Sequence, residues 1–266
     1  MIATDHAEVA YDAFASHYDA FTAHHDYEAW TITIEQLARR HGLRGRRLLD
    51  VACGTGKSLE PFARRGYTAV GCDLSQPMLD VAAAKLGPSV RLERHDLREL
   101  ARLGAFDLVC CLDDALNYLL SREELAAALS GLAANLAPDG VLVFDVNSLC
   151  TYRTFFASLT VVASPDRVLV WDGQTSPTLG AGEVASSLLQ MLERGSEGAW
   201  SRRECVHYQR HHPCQVVEAA LGAAGLRPVG VYGMRLDGSV SATFSEAENS
   251  KALYIARLDA PEGGRR

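Results

Sequence analysis

A glycine-rich stretch near the start of the chain has the residue types and spacing of a ligand-binding turn. Residues 50–56 read DVACGTG; they follow an apolar run and precede a segment with helical spacing. Glycines at positions 54 and 56 permit a tight turn and a close approach of the backbone to a ligand that lies over a helix N-terminus. The stretch therefore predicts a binding loop, but it does not by itself identify the ligand.

The residues around this loop weigh against a nucleotide hydrolase. Residues 54–58 (GTGKS) resemble the end of a phosphate-binding loop, but that loop needs a glycine where Val51 stands. A dinucleotide loop has the spacing GxGxxG, and Leu59 occupies the position of its third glycine. A nicotinamide site and a turn without any ligand both stay open at this point.

Two aspartates beyond the next two predicted strands favour a nucleoside ligand. Asp73 lies seventeen residues after Gly56, where a carboxylate can accept both ribose hydroxyls. Asp96 follows the third strand, where it can accept from an adenine amino group. Each aspartate could instead cap a helix. One extended nucleoside explains the loop and both aspartates together, so we favour that interpretation.

Polar residues after the fourth predicted strand are candidates for contacting a second substrate. Asp113 and Asp114 are adjacent, and a carboxylate there can pair with a substrate ammonium or accept its proton. The alternatives are that Asp114 caps the next turn and that Tyr118 fills the core. The candidate catalytic residues are therefore Asp113, Asp114, Asn117 and Tyr118, with Tyr11 as a second-tier candidate and His207, His211 and His212 as further possible bases.

The elements that position these residues alternate between apolar runs and helical patterns. Continuous apolar strands separated by helices predict a parallel sheet covered on both faces, and ligands of such sheets bind beyond the carboxyl ends of the strands. The predicted strands are 47–51, 68–73, 90–93, 106–112 and 141–146, and the predicted helices are 58–65, 77–86, 98–103 and 122–136.

The region from 150 to 212 has a different pattern. Strand-like runs there are separated by Gly, Pro and Ser turns without a helix, which predicts an antiparallel arrangement. A helix ending at Gly225 and two further strands complete the chain. The predicted elements are strands 167–171, 184–193 and 202–208, the helix 213–224, and strands 227–232 and 252–258.

Composition limits the class of protein. A chain of 266 residues with 48% hydrophobic and 22% charged residues is typical of a globular domain, and a net charge of −7 argues against a nucleic-acid partner. The absence of a signal peptide and of any uncharged apolar run of 18 residues predicts a cytoplasmic protein without a membrane partner. The seven cysteines include no CxxC pair, and the Asp113–Asp114 pair has no evident third ligand, so we expect no metal site.

Five stretches carry a resemblance to a known family. They are LLDVACGTG (48–56), GCDLSQPMLDVA (71–82), ERHDLREL (93–100), FDLVCCLDDALNYL (106–119) and LAPDGVLVFDVNS (136–148). In these stretches the chain resembles the class I S-adenosylmethionine-dependent methyltransferases. The segments YDAFASHYD (11–19) and DYEAW (26–30) resemble the N-terminal lid of a narrower group, the glycine N-methyltransferase-like enzymes and the amino-sugar N-methyltransferases.

The resemblance implies a fold and a division of the chain. The fold would be a doubly wound, mostly parallel, seven-stranded α/β sheet of the Rossmann-like methyltransferase type, within a single domain over residues 1–266. That domain would comprise an N-terminal helical lid (1–44), a cofactor-binding core (45–148), an inserted antiparallel substrate lid (149–212) and a return to the core sheet (213–260). A homodimer is a further possibility.

The resemblance also implies roles for individual residues. Tyr18 and Trp30 would close over the methionine part of the cofactor S-adenosylmethionine, where an aromatic face attracts the sulfonium cation. Asp73 would hold the ribose, and Cys53 stands where many family members have glycine. The implied cofactor-binding residues are Tyr18, Trp30, Asp50, Ala52, Cys53, Gly54, Asp73, Leu74, Met78, Asp96, Leu97 and Leu112.

The implied reaction is methyl transfer to an amine or a hydroxyl of a small molecule, by in-line displacement. N-methylation, for example of an amino sugar in antibiotic biosynthesis, is slightly favoured over O-methylation of a phenolic or sugar hydroxyl. Two other classes stay open: a nicotinamide-dependent oxidoreductase that uses the same loop, and a non-catalytic subunit that only binds the cofactor.

Overall fold

Two β-sheets and seven α-helices make up the computed structural model of the chain, in which residues 5–259 are described. The strands are β1 (Arg47–Val51), β2 (Thr68–Asp73), β3 (Arg91–Arg94), β4 (Phe106–Cys111), β5 (Leu136–Asn147), β6 (Leu159–Ser164), β7 (Arg167–Gly173), β8 (Val184–Arg194), β9 (Trp200–Arg210), β10 (Leu226–Met234), β11 (Val240–Ser241) and β12 (Lys251–Leu258). The helices are α1 (His6–Phe21), α2 (Tyr27–Arg40), α3 (Leu59–Arg64), α4 (Gln76–Leu86), α5 (Arg122–Ala134), α6 (Leu149–Thr154) and α7 (Cys214–Ala223).

The larger sheet has eight strands in the order β11-β10-β12-β5-β4-β1-β2-β3. The pairs from β5 to β3 are parallel, whereas β12 is antiparallel to both β5 and β10. Lys251 at the start of β12 therefore pairs with Asn147 at the end of β5. As a result, the amino end of β12 lies at the same sheet edge as the carboxyl ends of the parallel strands.

Helices cover both faces of this sheet, as the continuous apolar strands predict. On one face, Leu125 and Leu129 of α5 and Leu221 of α7 pack against the strands. On the other, Ile34 of α2 and Phe62 of α3 are fully buried against the sheet. The α5 helix begins with a capping box in which Ser121 and Glu124 bond each other's backbone N–H groups. The predicted doubly wound α/β fold is confirmed.

The smaller sheet is antiparallel, in the order β6-β7-β8-β9, and it packs against α1. Phe14 of α1 contacts a buried group from the second sheet and the turn before it, including Trp171 and Phe156. Because α1 lies between the smaller sheet and the carboxyl ends of the larger one, it covers the region where the predicted site residues meet.

Three expectations about elements need correction. The larger sheet has eight strands, because the two residues of β11 pair with Gly233 and Met234. The predicted helix at 98–103 is wrong: only Leu97–Glu99 forms a short 3₁₀ turn. The prediction also lacked α6 and β6, whose alternating exposed residues include Leu159 and Val161. No helix among residues 5–259 is long and apolar enough to cross a membrane.

Candidate active site

The glycine loop connects β1 to α3 through several left-handed residues. Ala52, Gly54 and Gly56 have φ values of 56°, 53° and 78°. A Cβ added to Gly54 would meet nothing within 4 Å, so open space lies above this residue, whereas a Cβ on Gly56 would lie 2.9 Å from Cδ1 of Leu86. The loop therefore needs glycine at position 56 for packing on α4 and presents its backbone at position 54 to a cavity.

Asp73 at the end of β2 is bound to the glycine loop. Its Oδ2 accepts from the Gly54 N–H at 2.8 Å, and its Oδ1 accepts from the Ser75 N–H at 2.9 Å. Burial raises the pKa of Asp73, although these backbone donors act in the opposite direction. Ser75, rather than Asp73, caps α4 by accepting from the Met78 N–H. The carboxylate is thus fixed at the edge of the cavity above the loop.

A cavity of about 880 Å³, here called the glycine-loop cavity, lies above this loop. It extends from the loop to the start of α1, and His6 and Glu8 also line it. The structure brings nine of the predicted cofactor-binding residues together in its wall: Tyr18, Ala52, Gly54, Asp73, Leu74, Met78, Asp96, Leu97 and Leu112.

Three predicted cofactor-binding residues lie outside that wall. Asp50 is buried beneath the loop, where its Oδ2 accepts from the Ser58 hydroxyl at 2.7 Å, and burial raises its pKa to about 7. Cys53 packs behind the loop, so close to Gly71 that a Cβ there would lie 2.9 Å from the Cys53 sulfur. Trp30 lines a second cavity instead.

Asp96 fulfils the capping role and also lines the glycine-loop cavity. Its carboxylate accepts from the Arg98 N–H at 2.8 Å and from the Arg98 guanidinium at 2.6 Å. Burial alone would raise the pKa of Asp96, but the bonds from Arg98 lower it below its ordinary value. The position of Asp96 is therefore compatible with both roles predicted from the sequence, a helix cap and an acceptor for an adenine amino group.

The second cavity, here called the aromatic cavity, has a volume of about 1820 Å³. Its walls include Phe14 and Phe21 of α1 and Trp171 of β7, and the rings of Phe155 and Trp171 stack with their centroids 5.0 Å apart. Four residues line both cavities: Tyr11, Tyr18, Asp113 and Tyr118. The two cavities therefore meet at a junction that contains one carboxylate and three tyrosines.

Four charged residues, here called the acidic cluster, lie at this junction: Asp113, Asp114, Asp145 and Lys251. The Lys251 ammonium lies 2.9, 2.6 and 3.0 Å from oxygens of Asp113, Asp114 and Asp145. Asp113 and Asp114 have left-handed φ values of 62° and 55°, and their N–H groups donate to the Asp145 carboxylate at 2.7 and 2.9 Å. Asp145 therefore holds the turn, and Lys251 supplies its counter-charge.

Asp113 and Asp114, the two carboxylates of the acidic cluster that line the aromatic cavity, differ in their donors. Asp113 accepts from the hydroxyls of Tyr18 and Tyr27 at 2.9 and 3.0 Å, and Asp114 accepts from the Gln209 amide at 2.5 Å. Burial would raise the pKa of Asp113, but the Lys251 ammonium and these donors lower it below its ordinary value. Burial raises the pKa of Asp114 to about 6, and the neighbouring carboxylates add to that effect.

Tyr118 and His207 form a buried pair beside the acidic cluster. The Tyr118 hydroxyl lies 2.8 Å from Nδ1 of His207, and burial lowers the pKa of His207 to about 3. This histidine is therefore neutral at neutral pH. The ring centroids of Tyr11 and Tyr118 lie 5.2 Å apart, so these two tyrosines of the junction are in contact.

The other candidates have structural partners. The Asn117 amide donates to the Arg210 carbonyl at 2.8 Å, its Oδ1 accepts from the Asn147 N–H, and it lines neither cavity. His211 lies 3.2 Å from the Glu246 carboxylate, and His212 bonds the Leu116 carbonyl. These contacts indicate that Asn117, His211 and His212 hold the structure around the site.

Sequence reasoning did not identify Lys251, Asp145, Tyr27 or Gln209. The carboxyl ends of parallel strands identify site residues from the sequence, whereas Lys251 lies at the amino end of an antiparallel strand. Asp145 lies within β5, where the preceding residues Val141, Leu142, Val143 and Phe144 are all fully buried. The one sign in the sequence that Asp145 belongs to the site is that a charged residue stands inside an apolar strand.

Comparison with known proteins agrees with this geometry. A family model described as a methyltransferase domain matches residues 48–140. YqeM of Bacillus subtilis, which is named as a methyltransferase, is 30% identical over 252 residues, covering 91% of this chain and 98% of that protein. The dTDP-3-amino-3,4,6-trideoxy-alpha-D-glucopyranose N,N-dimethyltransferase of Streptomyces venezuelae is 38% identical over 146 residues, which are 54% of this chain and 58% of that enzyme.

Two solved structures have the same fold over most of their length. One is an S-adenosylmethionine-dependent methyltransferase from Clostridium acetobutylicum, with a TM-score of 0.78 and 24% identity, covering 94% of this chain and 99% of that one. The other is the sugar N-methyltransferase KedS8 from Streptoalloteichus, with a TM-score of 0.71 and 27% identity, covering 91% of this chain and 93% of that one.

The fold, the loop with its strand-end aspartates and these matches define a methyltransferase that uses S-adenosylmethionine. The chain belongs to the class I S-adenosylmethionine-dependent methyltransferases. Within that class it is similar to the amino-sugar N-methyltransferases. The methyltransferase assignment therefore replaces the alternative of a nicotinamide-dependent oxidoreductase.

Proposed function

We propose that the chain transfers a methyl group from S-adenosylmethionine to the nitrogen of a small amine, such as the amine of an amino sugar. The observation that carries this proposal is the pair of partly buried carboxylates, Asp113 and Asp114, beside the junction of the glycine-loop and aromatic cavities. Carboxylates beside aromatic rings attract a cation, and an amine is cationic before it reacts. The names of the sugar N-methyltransferases among the similar proteins support the same acceptor class.

In this proposal the glycine-loop cavity holds S-adenosylmethionine. The open space above Gly54 leaves room for a ligand against the loop, and the Asp73 carboxylate suits a ribose diol. Leu74, Met78 and Leu97 offer an apolar surface for adenine. When bound, the cofactor supplies a methyl group that its sulfonium has already activated for displacement.

The residues of the junction prepare the amine. Asp113 stays ionised because Lys251 and two tyrosine hydroxyls stabilise its charge, so it can pair with the incoming ammonium. Asp114, with a pKa raised to about 6, can accept the ammonium proton and leave the nitrogen lone pair free. Alignment of the two substrates across the junction can contribute about 7–11 kcal/mol to lowering the barrier.

A nitrogen acceptor suits these groups better than a hydroxyl. A hydroxyl usually needs a general base to attack, and the histidine at the site is engaged with the Tyr118 hydroxyl. His207 also has a pKa lowered to about 3, which makes it a weak base. A nitrogen acceptor needs only to lose its ammonium proton, and Asp114 lines the same cavity wall as Asp113 and can accept that proton.

The cofactor assignment is tested with Asp73→Ala. Removing the carboxylate that would bind the ribose should weaken binding of S-adenosylhomocysteine by about 100-fold or more, because two hydrogen bonds to a charged group are lost. Isothermal titration calorimetry measures the affinity, and Asp80→Ala on the exposed side of α4 is the control. Unchanged affinity in Asp73→Ala contradicts the assignment.

The role of Asp114 is tested with Asp114→Asn. We expect kcat for a 3-amino-3,6-dideoxyhexose glycoside to fall by about 100-fold or more, with S-adenosylhomocysteine affinity retained as evidence of folding. In the unsubstituted enzyme, kcat should decline as the pH falls through about 6, because Asp114 becomes protonated there, whereas the variant should lack this limb. Asp139→Asn, at an almost fully exposed carboxylate, is the control. A pH profile that is the same in Asp114→Asn removes Asp114 as the proton acceptor.

A further inference from the structure

The charges that line the aromatic cavity are predominantly negative. Among the described residues in its wall there are four carboxylates, Asp26, Asp113, Asp114 and Asp237, against one arginine, Arg235, one lysine, Lys251, and three histidines, His24, His25 and His207. Lys251 already lies within 3.0 Å of three carboxylates. Arg235 is therefore the only arginine or lysine of the described wall outside the acidic cluster, and it shares the cavity mouth with two aspartates. Burial lowers the pKa of His25 and of His207, which favours their neutral forms.

The helix N-terminus at the mouth of the cavity is capped by a carboxylate, which disfavours binding of a phosphate there. The α2 helix begins here, and its exposed N–H groups would normally attract an anion. The Asp26 side chain occupies that position, because it accepts from the Ala29 N–H at 2.9 Å. Lys57, which is not part of the wall, donates to the Thr22 carbonyl and hydroxyl at 2.9 and 2.8 Å. A diphosphate would meet carboxylates at a place where it needs cations.

The walls between the mouth and the acidic cluster are apolar. Phe21, Phe155 and Trp171 form a continuous aromatic surface, with ring centroids 6.0 Å apart for Phe21 and Trp171 and 5.0 Å for Phe155 and Trp171. Val162 and the highly exposed Leu236 extend this surface toward solvent. An apolar body attached to the amine would be removed from water here, which favours its binding.

We propose that the acceptor amine is carried on an apolar body without a phosphate group, rather than on a nucleoside diphosphate. This inference rests on the proposed N-methyltransferase function and specifies its substrate class. The amine enters first and pairs with Asp113 and Asp114, while the apolar body lies against Phe21, Phe155 and Trp171. The carboxylates at the mouth disfavour a diphosphate in the place of that body.

A matched pair of acceptors tests the inference. The probes are the octyl glycoside of 3-amino-3,6-dideoxyglucose and the dTDP-linked form of the same amino sugar, with products analysed by mass spectrometry and NMR. We expect kcat/KM for the octyl glycoside to exceed that for the dTDP-linked sugar by about tenfold or more. Free dTDP at millimolar concentration should not inhibit methylation of the octyl glycoside.

The outcomes separate this inference from the function on which it rests. A higher kcat/KM for the dTDP-linked sugar, or competitive inhibition by dTDP, overturns the apolar acceptor and leaves N-methylation intact. Methylation of a sugar hydroxyl instead of the nitrogen overturns the proposed function and the inference together.

Two variants locate the effect in the structure. Phe155→Ala should lower kcat/KM for the octyl glycoside by about tenfold more than that for the corresponding methyl glycoside, because only the longer body reaches this ring. Equal losses for both glycosides contradict the proposed apolar wall. Asp237→Lys should improve use of the dTDP-linked sugar, and Asp139→Lys, remote from the cavity, should not. A gain from both lysines alike would show that the local charge of the mouth does not select the acceptor.

Discussion

The chemistry of the site depends on how one ammonium is shared among three carboxylates, of which Asp145 is fully buried and the other two are partly buried. Asp113, Asp114 and Asp145 surround Lys251 and carry two negative charges in excess when all four groups are ionised. Burial would lower the pKa of Lys251, but the carboxylates raise it well above its ordinary value. Lys251 is therefore a permanent cation, and the proton that the cluster exchanges near neutral pH is carried by a carboxylate.

Lys251→Met should destabilise the protein because it leaves the carboxylates buried without a counter-charge. We expect a loss of about 3–5 kcal/mol in the free energy of unfolding, measured by urea denaturation near neutral pH. The control is Lys85→Met, whose half-buried ion pair with Asp19 should contribute at most about 1 kcal/mol. Adding Asp114→Asn to Lys251→Met should restore part of the stability. Equal losses in the two single variants would contradict this account of the cluster.

The sequence predicts the residues of the site that obey a local rule. Asp73, Asp96, Asp113 and Asp114 each follow a predicted strand, and all four line the cavities. Lys251 could not be predicted in this way, because its place depends on a strand that returns antiparallel from a distant part of the chain. Partners of buried charges are set by such long-range pairing, and spacing along the sequence does not encode it.

Two turns of the larger sheet contain non-glycine residues in the left-handed region. Ala52 follows β1, and Asp113 and Asp114 follow β4. Such a backbone costs about 1–2 kcal/mol per residue, although Asp tolerates it better than other types. Strain of this kind often lies at functional sites, where surrounding bonds hold it. Here the Asp145 carboxylate provides those bonds for the second turn.

At position 52, glycine should be tolerated at least as well as alanine, which is the reverse of the order of these two residues in a helix. Ala52→Gly relieves the left-handed strain and should leave the free energy of unfolding unchanged or raise it by up to about 1 kcal/mol. Ala52→Val should lower it by more than about 1 kcal/mol, because a branched side chain fits this region poorly. Ala127→Gly in α5 is the control and should cost about 1 kcal/mol. Thermal and urea unfolding measure these changes; a loss in Ala52→Gly as large as in Ala127→Gly would contradict the strain.

Elements with strong local signals are predicted well from the sequence. The strands at 47–51 and 68–73 have the predicted bounds, because each is a short apolar run between turn residues. The predicted helix at 98–103 failed because the Asp96 side chain bonds the Arg98 N–H, which stabilises a tight turn instead. The exposed strand β6 lacks the clear burial pattern that identifies a strand.

At the scale of the whole molecule, α1 encloses both cavities. Its side chains bond three separate parts of the core: Tyr18 to Asp113 at 2.9 Å, Asp19 to Thr55 at 2.6 Å, and Asp12 to Ser75 at 2.5 Å. Residues from its first and last turns line the glycine-loop cavity. A ligand in that cavity is therefore covered by α1, and its exchange with solvent requires this helix to move.

Hydrogen–deuterium exchange should reveal that movement. Binding of S-adenosylhomocysteine should slow exchange of the α1 amides by about tenfold or more, because the ligand adds contacts beneath the helix. The amides of α5, none of whose residues lines either cavity, serve as the internal control and should change little. Similar protection in both helices, or protection of α5 alone, would contradict the role of α1 as a cover.

The position of β12 has a consequence for the order in which the protein can assemble. During synthesis, Asp113, Asp114 and Asp145 leave the ribosome more than a hundred residues before Lys251. Until β12 enters between β5 and β10, these carboxylates cannot be buried without a large electrostatic cost. Closure of the sheet therefore also brings Lys251 to the three carboxylates as their counter-charge, and a nascent chain that lacks β12 must keep its acidic turn in water.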